Sequence, residues 1–245
     1  MRVKTARLIK KDRAIEWRSH EPSRLETFSD AVFAFAVTLI IVSLEVPKTY
    51  VELFETMKGT FSFAACFAIL FLIWNNQNIF FRCYGLNDSL TVTLNAALLF
   101  VVLVYVYPLK FLFNLIFFGN SFTAGGMPKQ MISDASVPTL MLIYGAGYAT
   151  INILFYLMYR NAIKQKAEIK LTELELFHTK TVAYIFLICT FIGIADIVLT
   201  WLLPLRYAGL SGIFYMIIGP AYFIWYSYRG KVMKKRFGTN ALRVS

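Results

Sequence analysis

Six runs of about twenty or more mostly apolar residues dominate this chain: about Phe28 to Val46, Phe61 to Phe81, Leu90 to Phe118, Val137 to Tyr159, Thr181 to Leu203 and Tyr207 to Tyr228. A helix needs ~20 such residues to cross a ~30 Å hydrocarbon core. The runs are too long and too continuously apolar for barrel strands, which are short and alternate. Each is therefore read as an α-helix, the spanning form that satisfies its own backbone hydrogen bonds. The expected fold is all-α, a polytopic membrane protein with six helices per chain. Composition agrees: 58% of the 245 residues are hydrophobic and 16% charged, where soluble domains run near 45–50% and about 25%. An ordinary soluble enzyme, a disordered chain and a secreted disulfide scaffold are excluded. Cys66, Cys83 and Cys189 are far apart with no CxxC, which argues against both a metal site and a disulfide framework.

Charge then sets the orientation. The chain has 25 Lys and Arg against 14 Asp and Glu. Twenty of the 25 fall in the N-terminal segment, the second-to-third loop, the fourth-to-fifth connection and the C-terminal tail. The other side holds only Lys48, Lys58, Lys129 and Arg206, with Lys110 inside the third run and near enough to a surface to snorkel. By the positive-inside rule both termini are cytoplasmic in the cell membrane. The basic balance is thus topological, and no nucleic-acid partner is expected. The division is a basic segment 1–23, a six-helix membrane domain 24–229 and a basic tail 230–245. The first 27 residues do not resemble a cleavable signal peptide. The external loop from Gly119 to Ser136, with Gly125, Gly126 and Pro128, reads as irregular.

The first run has a polar entrance, Ser23-Arg-Leu-Glu-Thr-Phe-Ser-Asp30. Ser23 and Glu26 have capping-box spacing and start the helix; Pro47 ends it. Asp30 lies at or inside the apolar zone, where a lone carboxylate costs a few kcal/mol. It needs a partner: Arg24 or a polar residue of a neighbouring helix. Beyond Asp30 the helix is apolar all round, with small residues at Ala31, Ala34 and Ala36 that allow close helix approach. One face carries Ala31, Phe35, Thr38 and Val42, with Leu39 beside it. Such a stripe is ordinarily packing. Brought together with its copies around an axis, it would form apolar rings with one hydroxyl ring, a constriction of the kind that gates by dewetting.

Arg24-Leu25-Glu26-Thr27-Phe28-Ser29-Asp30 resembles the RxxxFSD signature of the endolysosomal transmembrane potassium channel family, in its prokaryotic single-repeat members. Trp74 sits where the family has a tryptophan, and Asn95 and Pro108 fall in a similar third-span pattern. The resemblance implies a potassium-permeable leak channel without a selectivity-filter loop, assembled as a homotetramer in the lipid bilayer. It implies no cofactor, with monovalent cations and K+ in particular as the permeant species. The first helix would line the pore, with Phe35, Leu39 and Val42 at the constriction and Thr38 as the hydroxyl layer. Arg24, Phe28, Ser29 and Asp30 would brace the helix with Trp74. Two departures stand out. Gln77 occupies a position that is often histidine, so it hydrogen-bonds without titrating. The first constriction residue is aromatic rather than Ile or Leu. No TVGYG-type sequence occurs, so any selectivity arises from helix side chains and is modest.

Asp196 lies mid-run in the fifth span. An intramembrane acid is a functional candidate by default: it could bind a coupling ion or carry a proton, or it could pair with Lys110 or bond a Tyr hydroxyl. The first use would suit an ion-coupled secondary transporter, with breaks at Gly145, Gly147 and Gly219-Pro220. No matching broken segments recur in the two halves, which weakens that reading. An intramembrane enzyme is disfavoured, because the spans hold no HExxH, no GxSG and no aspartate pair at facing depths.

Overall fold

The computed structural model describes residues 17–19, 21–42, 49–124 and 127–238. Among these are six α-helices: α1 (Arg24–Val42), α2 (Tyr50–Tyr84), α3 (Ser89–Phe118), α4 (Val137–Lys164), α5 (Glu173–Leu202) and α6 (Ile218–Phe237). Four segments, Gly59–Tyr84, Ser89–Phe118, Asp134–Lys164 and Glu173–Leu202, are long and apolar enough to cross a membrane. The chain is a multi-pass membrane protein. The 19 residues of α1 reach about 28 Å at the helical rise. Pro47, read as its stop, lies outside the described residues.

Local chemistry sets the helix ends. Glu26 N–H donates to Ser23 Oγ at 3.2 Å and Ser23 N–H to Glu26 Oε1 at 2.9 Å, the reciprocal box expected for α1. Thr172 and Glu175 repeat it at the start of α5. Asp88 caps α3 and also accepts from Asn161 of α4. Its carboxyl is held below the usual range: partial burial pushes it up, but hydrogen bonds from Thr91, Gln165 and Asn161 outweigh that. Gly85, at φ +59°, turns the chain out of α2. That left-handed conformation favours glycine.

One apolar core runs through the bundle. Leu98 and Val102 of α3, Phe80 of α2 and Phe155 and Met158 of α4 are all buried in it. Phe155 stacks on Phe186 of α5 at 4.8 Å between centroids, and Tyr159 meets Phe80 edge-on at 5.2 Å. Helices α4 and α5 approach closely because small residues face each other. A Cβ on Gly145 would stand 2.7 Å from Ile197, and one on Gly193 would stand 3.0 Å from Ala149 Cβ.

At the basic end, Arg18 fastens the segment before α1 to the rest. Its guanidinium donates to Ile169 O (2.9 Å), Cys83 O (3.1 Å) and the Glu175 carboxylate (2.9 Å). Trp225 of α6 ties α6 to α5 by donating to the Thr181 carbonyl at 2.9 Å.

Two expectations are corrected. The loop between α3 and α4 is not irregular: β1 (Ser121–Ala124) and β2 (Met127–Gln130) pair antiparallel, Ala124 opposite Met127. Asn120 closes the hairpin base, donating to Ile132 O at 2.9 Å and accepting from Ile132 N–H at 2.8 Å. A two-residue Gly-Gly connection between extended segments was the sequence signal for it. The sixth run is not a uniform α-helix either. Leu205–Ile217 is 3₁₀-helical and passes into α6. Side-chain bonds hold it on α5: Thr200 to Ser211 at 2.9 Å and Tyr215 to Asp196 at 3.0 Å. The higher rise, ~2 Å per residue, lets this segment cover more depth than an α-helix of equal length.

Candidate functional site

Helix α1 has two opposite faces. Ser29, Phe33, Ala36 and Ile40, spaced by four, three and four, are buried against α2 and α3. Phe28, Ala31, Phe35 and Thr38, spaced by three, four and three, are exposed. On a helical wheel these four fall within an arc of about 80°. Phe35 is 56% exposed, whereas Leu39 turns partly inward. The side chain of Val42 lies outside the described residues. The Thr38 hydroxyl donates to Phe35 O at 2.7 Å. With its proton so committed, the oxygen presents only lone pairs outward.

Two signature residues, Ser29 and Asp30, are held from behind this stripe, while Arg24 and Phe28 stay exposed on it. Trp74 Nε1 donates to Asp30 Oδ1 at 2.6 Å. This settles the partner of Asp30 within the chain: it is the neighbouring helix, not Arg24. Arg24 is exposed, and among the described residues it makes no ion pair in its own chain. One turn of α2 beyond Trp74, Gln77 donates to Asn95 Oδ1 of α3. Asn95 Nδ2 donates to Ser29 Oγ at 2.9 Å, and Ser29 donates to Leu25 O at 2.8 Å. Ser29, Gln77 and Asn95 are all at most 2% exposed. Each polar group therefore finds its partner inside the protein, as burial requires. The amide of Gln77 serves here without titrating.

Asn95 came out of the sequence only as part of a resembling pattern, and the structure makes it the hub. The signal for it was a lone amide in the apolar run Leu94–Phe100. Lys110 was read as snorkelling to a surface; its ammonium instead donates to Ile40 O at 3.0 Å, near the far end of α1.

Asp196 stands apart from this group. It is fully buried in α5, and Tyr215 OH donates to its Oδ2 at 3.0 Å. Of the partners left open in the sequence, the Tyr hydroxyl is the one observed. A cavity of about 1040 Å³ beside it is bounded by Tyr105, Tyr144, Tyr148 and Tyr215. A second opening, about 390 Å³, runs along α1 and α2 between Asp30, Phe33, Ala34, Val37, Phe71 and Trp74. Among the described residues no group of His, Cys, Asp and Glu has the geometry to hold a metal.

The comparisons converge on the first third of the chain and then extend beyond it. Residues 24–106 match the family described as Endosomal/lysosomal potassium channel TMEM175. A potassium channel of Marivirga tractuosa is 36% identical over 228 residues, covering 90% of this chain and 91% of that one. A potassium channel of Chamaesiphon minutus is 28% identical over 96 residues, covering 36% of this chain and 47% of that one. Among solved structures, the T38A variant of the potassium channel MtTMEM175, in complex with a nanobody–MBP fusion, superposes with a TM-score of 0.76 at 35% identity. It covers 91% of this chain and 97% of that one.

Proposed function

Because the chain belongs to the TMEM175 potassium-channel family, which is a family of channels and not of enzymes, we propose that it conducts K+ through a pore lined by α1. The observation that carries this reading is the exposed stripe of α1. Its apolar residues are exposed in one chain, and among the described residues nothing donates to the outward-facing Thr38 oxygen, in a protein that resembles a potassium channel along nearly its whole length. In a homotetramer the four stripes meet on the axis. Phe35, Leu39 and Val42 then form the constriction and Thr38 the hydroxyl layer, whose oxygens stabilise a partly dehydrated cation. Trp74, Gln77, Asn95, Ser29 and Asp30 hold the back of the helix so that the stripe keeps its direction. The opening along α1 and α2 takes the neighbouring copy's α1. The distribution of Lys and Arg supports both termini lying in the cytoplasm and the chain in the cell membrane. Residues 24–229 form the channel domain, between basic segments 1–23 and 230–245. Asp196, already engaged by Tyr215, belongs to the packing of the outer helices. The relatives favour conduction over the ion-coupled transport for which it was considered.

The test is K+ flux from purified protein in liposomes under a K+ gradient. A passive, voltage-following K+ flux is expected; folded tetramer that leaves the gradient intact would overturn the reading. The exposed position of Arg24 carries a second expectation. It lies on the stripe with Phe28 and Ala31, without a partner in its own chain among the described residues, so its bracing contact falls between copies. Arg24→Ala is expected to reduce the tetramer fraction on size exclusion more than it reduces K+ flux per tetramer. Normal tetramer yield from this variant would contradict the bracing role.

A further inference from the structure

We propose that Lys110 is a positioning residue for ion selectivity, holding the turn of α1 that carries Thr38; the inference rests on the pore reading above. In α1 the carbonyl of Ile40, a residue only 1% exposed, accepts from Lys110 Nζ at 3.0 Å. Thr38 and Ile40 share one turn, so this bond fixes the rotation of the helix at the hydroxyl layer.

The anchor itself is firm. Leu109, adjacent to Lys110 on α3, is 4% exposed, and Val106 one turn earlier is 1% exposed. At the other end of α1 the rotation is set by the Ser29–Asn95 bond, about two and a half turns below Thr38. Between these two ties Trp74 also holds Asp30, while Phe35 and Thr38 on the outer face stay exposed. Rotating a helix by ~20° carries an atom ~5 Å from its axis by nearly 2 Å. That displacement is large beside the distances over which an oxygen coordinates a cation. The tie at Ile40 therefore decides whether the Thr38 oxygens point at the axis.

The experiment measures reversal potentials under bi-ionic K+/Na+ conditions for the wild type, K110M, K110R, T38A and the double variant K110M/T38A, with size exclusion alongside. K110M is expected to lower the K+/Na+ permeability ratio by about threefold or more, the scale of one hydrogen bond of ordinary net strength. K110R, which still donates to a carbonyl, is expected to stay nearer the wild type. In the T38A background K110M is expected to add no further loss, since Lys110 acts through that hydroxyl. An unchanged ratio in K110M overturns the proposal, as does an equal loss with and without Thr38. Should K110M fail to assemble, K110L, which also lacks a donor, replaces it with the same criteria. A wild type without K+ current overturns the pore reading itself, which keeps the two failures distinguishable.

Discussion

Phe35→Ala is expected to raise K+ flux through the assembled protein about tenfold, equivalent to lowering the barrier by about 1.4 kcal/mol. In the proposed tetramer, four aromatic rings around one axis would leave a narrow apolar passage, where an entering ion or water forfeits hydration without compensation. Alanine removes the rings, widens the passage and wets it. Phe35 is the residue for this test because it is 56% exposed in a single chain. Leu39 is partly turned into the protein, so Leu39→Ala is expected to have the smaller effect. The measurement is fluorescence-monitored K+ flux in liposomes at matched tetramer density. A flux for Phe35→Ala equal to the wild type would move the constriction elsewhere along α1.

Asn95→Ala is expected to cost the most stability among single changes near the signature. It strands the Gln77 amide, 2% exposed, by removing its acceptor, and leaves Ser29 with only its bond to Leu25 O. A stranded group costs about 1–3 kcal/mol, and the lost side-chain volume adds to this. Ser29→Ala leaves the Gln77–Asn95 bond intact and should be milder. The expected order in thermal unfolding of the detergent-purified protein is wild type, then Ser29→Ala, then Asn95→Ala with little tetramer recovered. Equal melting of Asn95→Ala and wild type would remove the amide hub from the account. Because the hub joins α1 to α2 and α3, its loss should also make α1 the first helix to lose protection from hydrogen exchange.

The sequence was informative where a physical rule acts locally. The Ser23–Glu26 box and the apolar runs of α2 to α5 follow from periodicity, length and capping chemistry, and the structure shows them at nearly the expected residues. The two faces of α1 were partly readable. The stripe of Ala31, Phe35 and Thr38 was visible as spacing, but no rule said which side of an all-apolar helix would stay open. The partner of Asp30 was left between Arg24 and a neighbouring helix, because choosing Trp74 requires knowing how α1 and α2 cross. The same holds for Lys110: its reach to Ile40 joins residues 70 apart in sequence, and composition pointed it at a surface instead. The 3₁₀ course of Leu205–Ile217 was hidden for a similar reason. Its run is as apolar as a helix, and its shape is held by side-chain bonds to Thr200 and Asp196 on α5.

The most direct test of the central claim is a density map of the assembled protein in a lipid nanodisc, read for the position of α1. The account predicts a ring of four chains with the four α1 helices innermost, Phe35 and Thr38 facing the axis. A map that places α1 at the lipid-facing rim, with its Phe35 stripe against acyl chains, would contradict it.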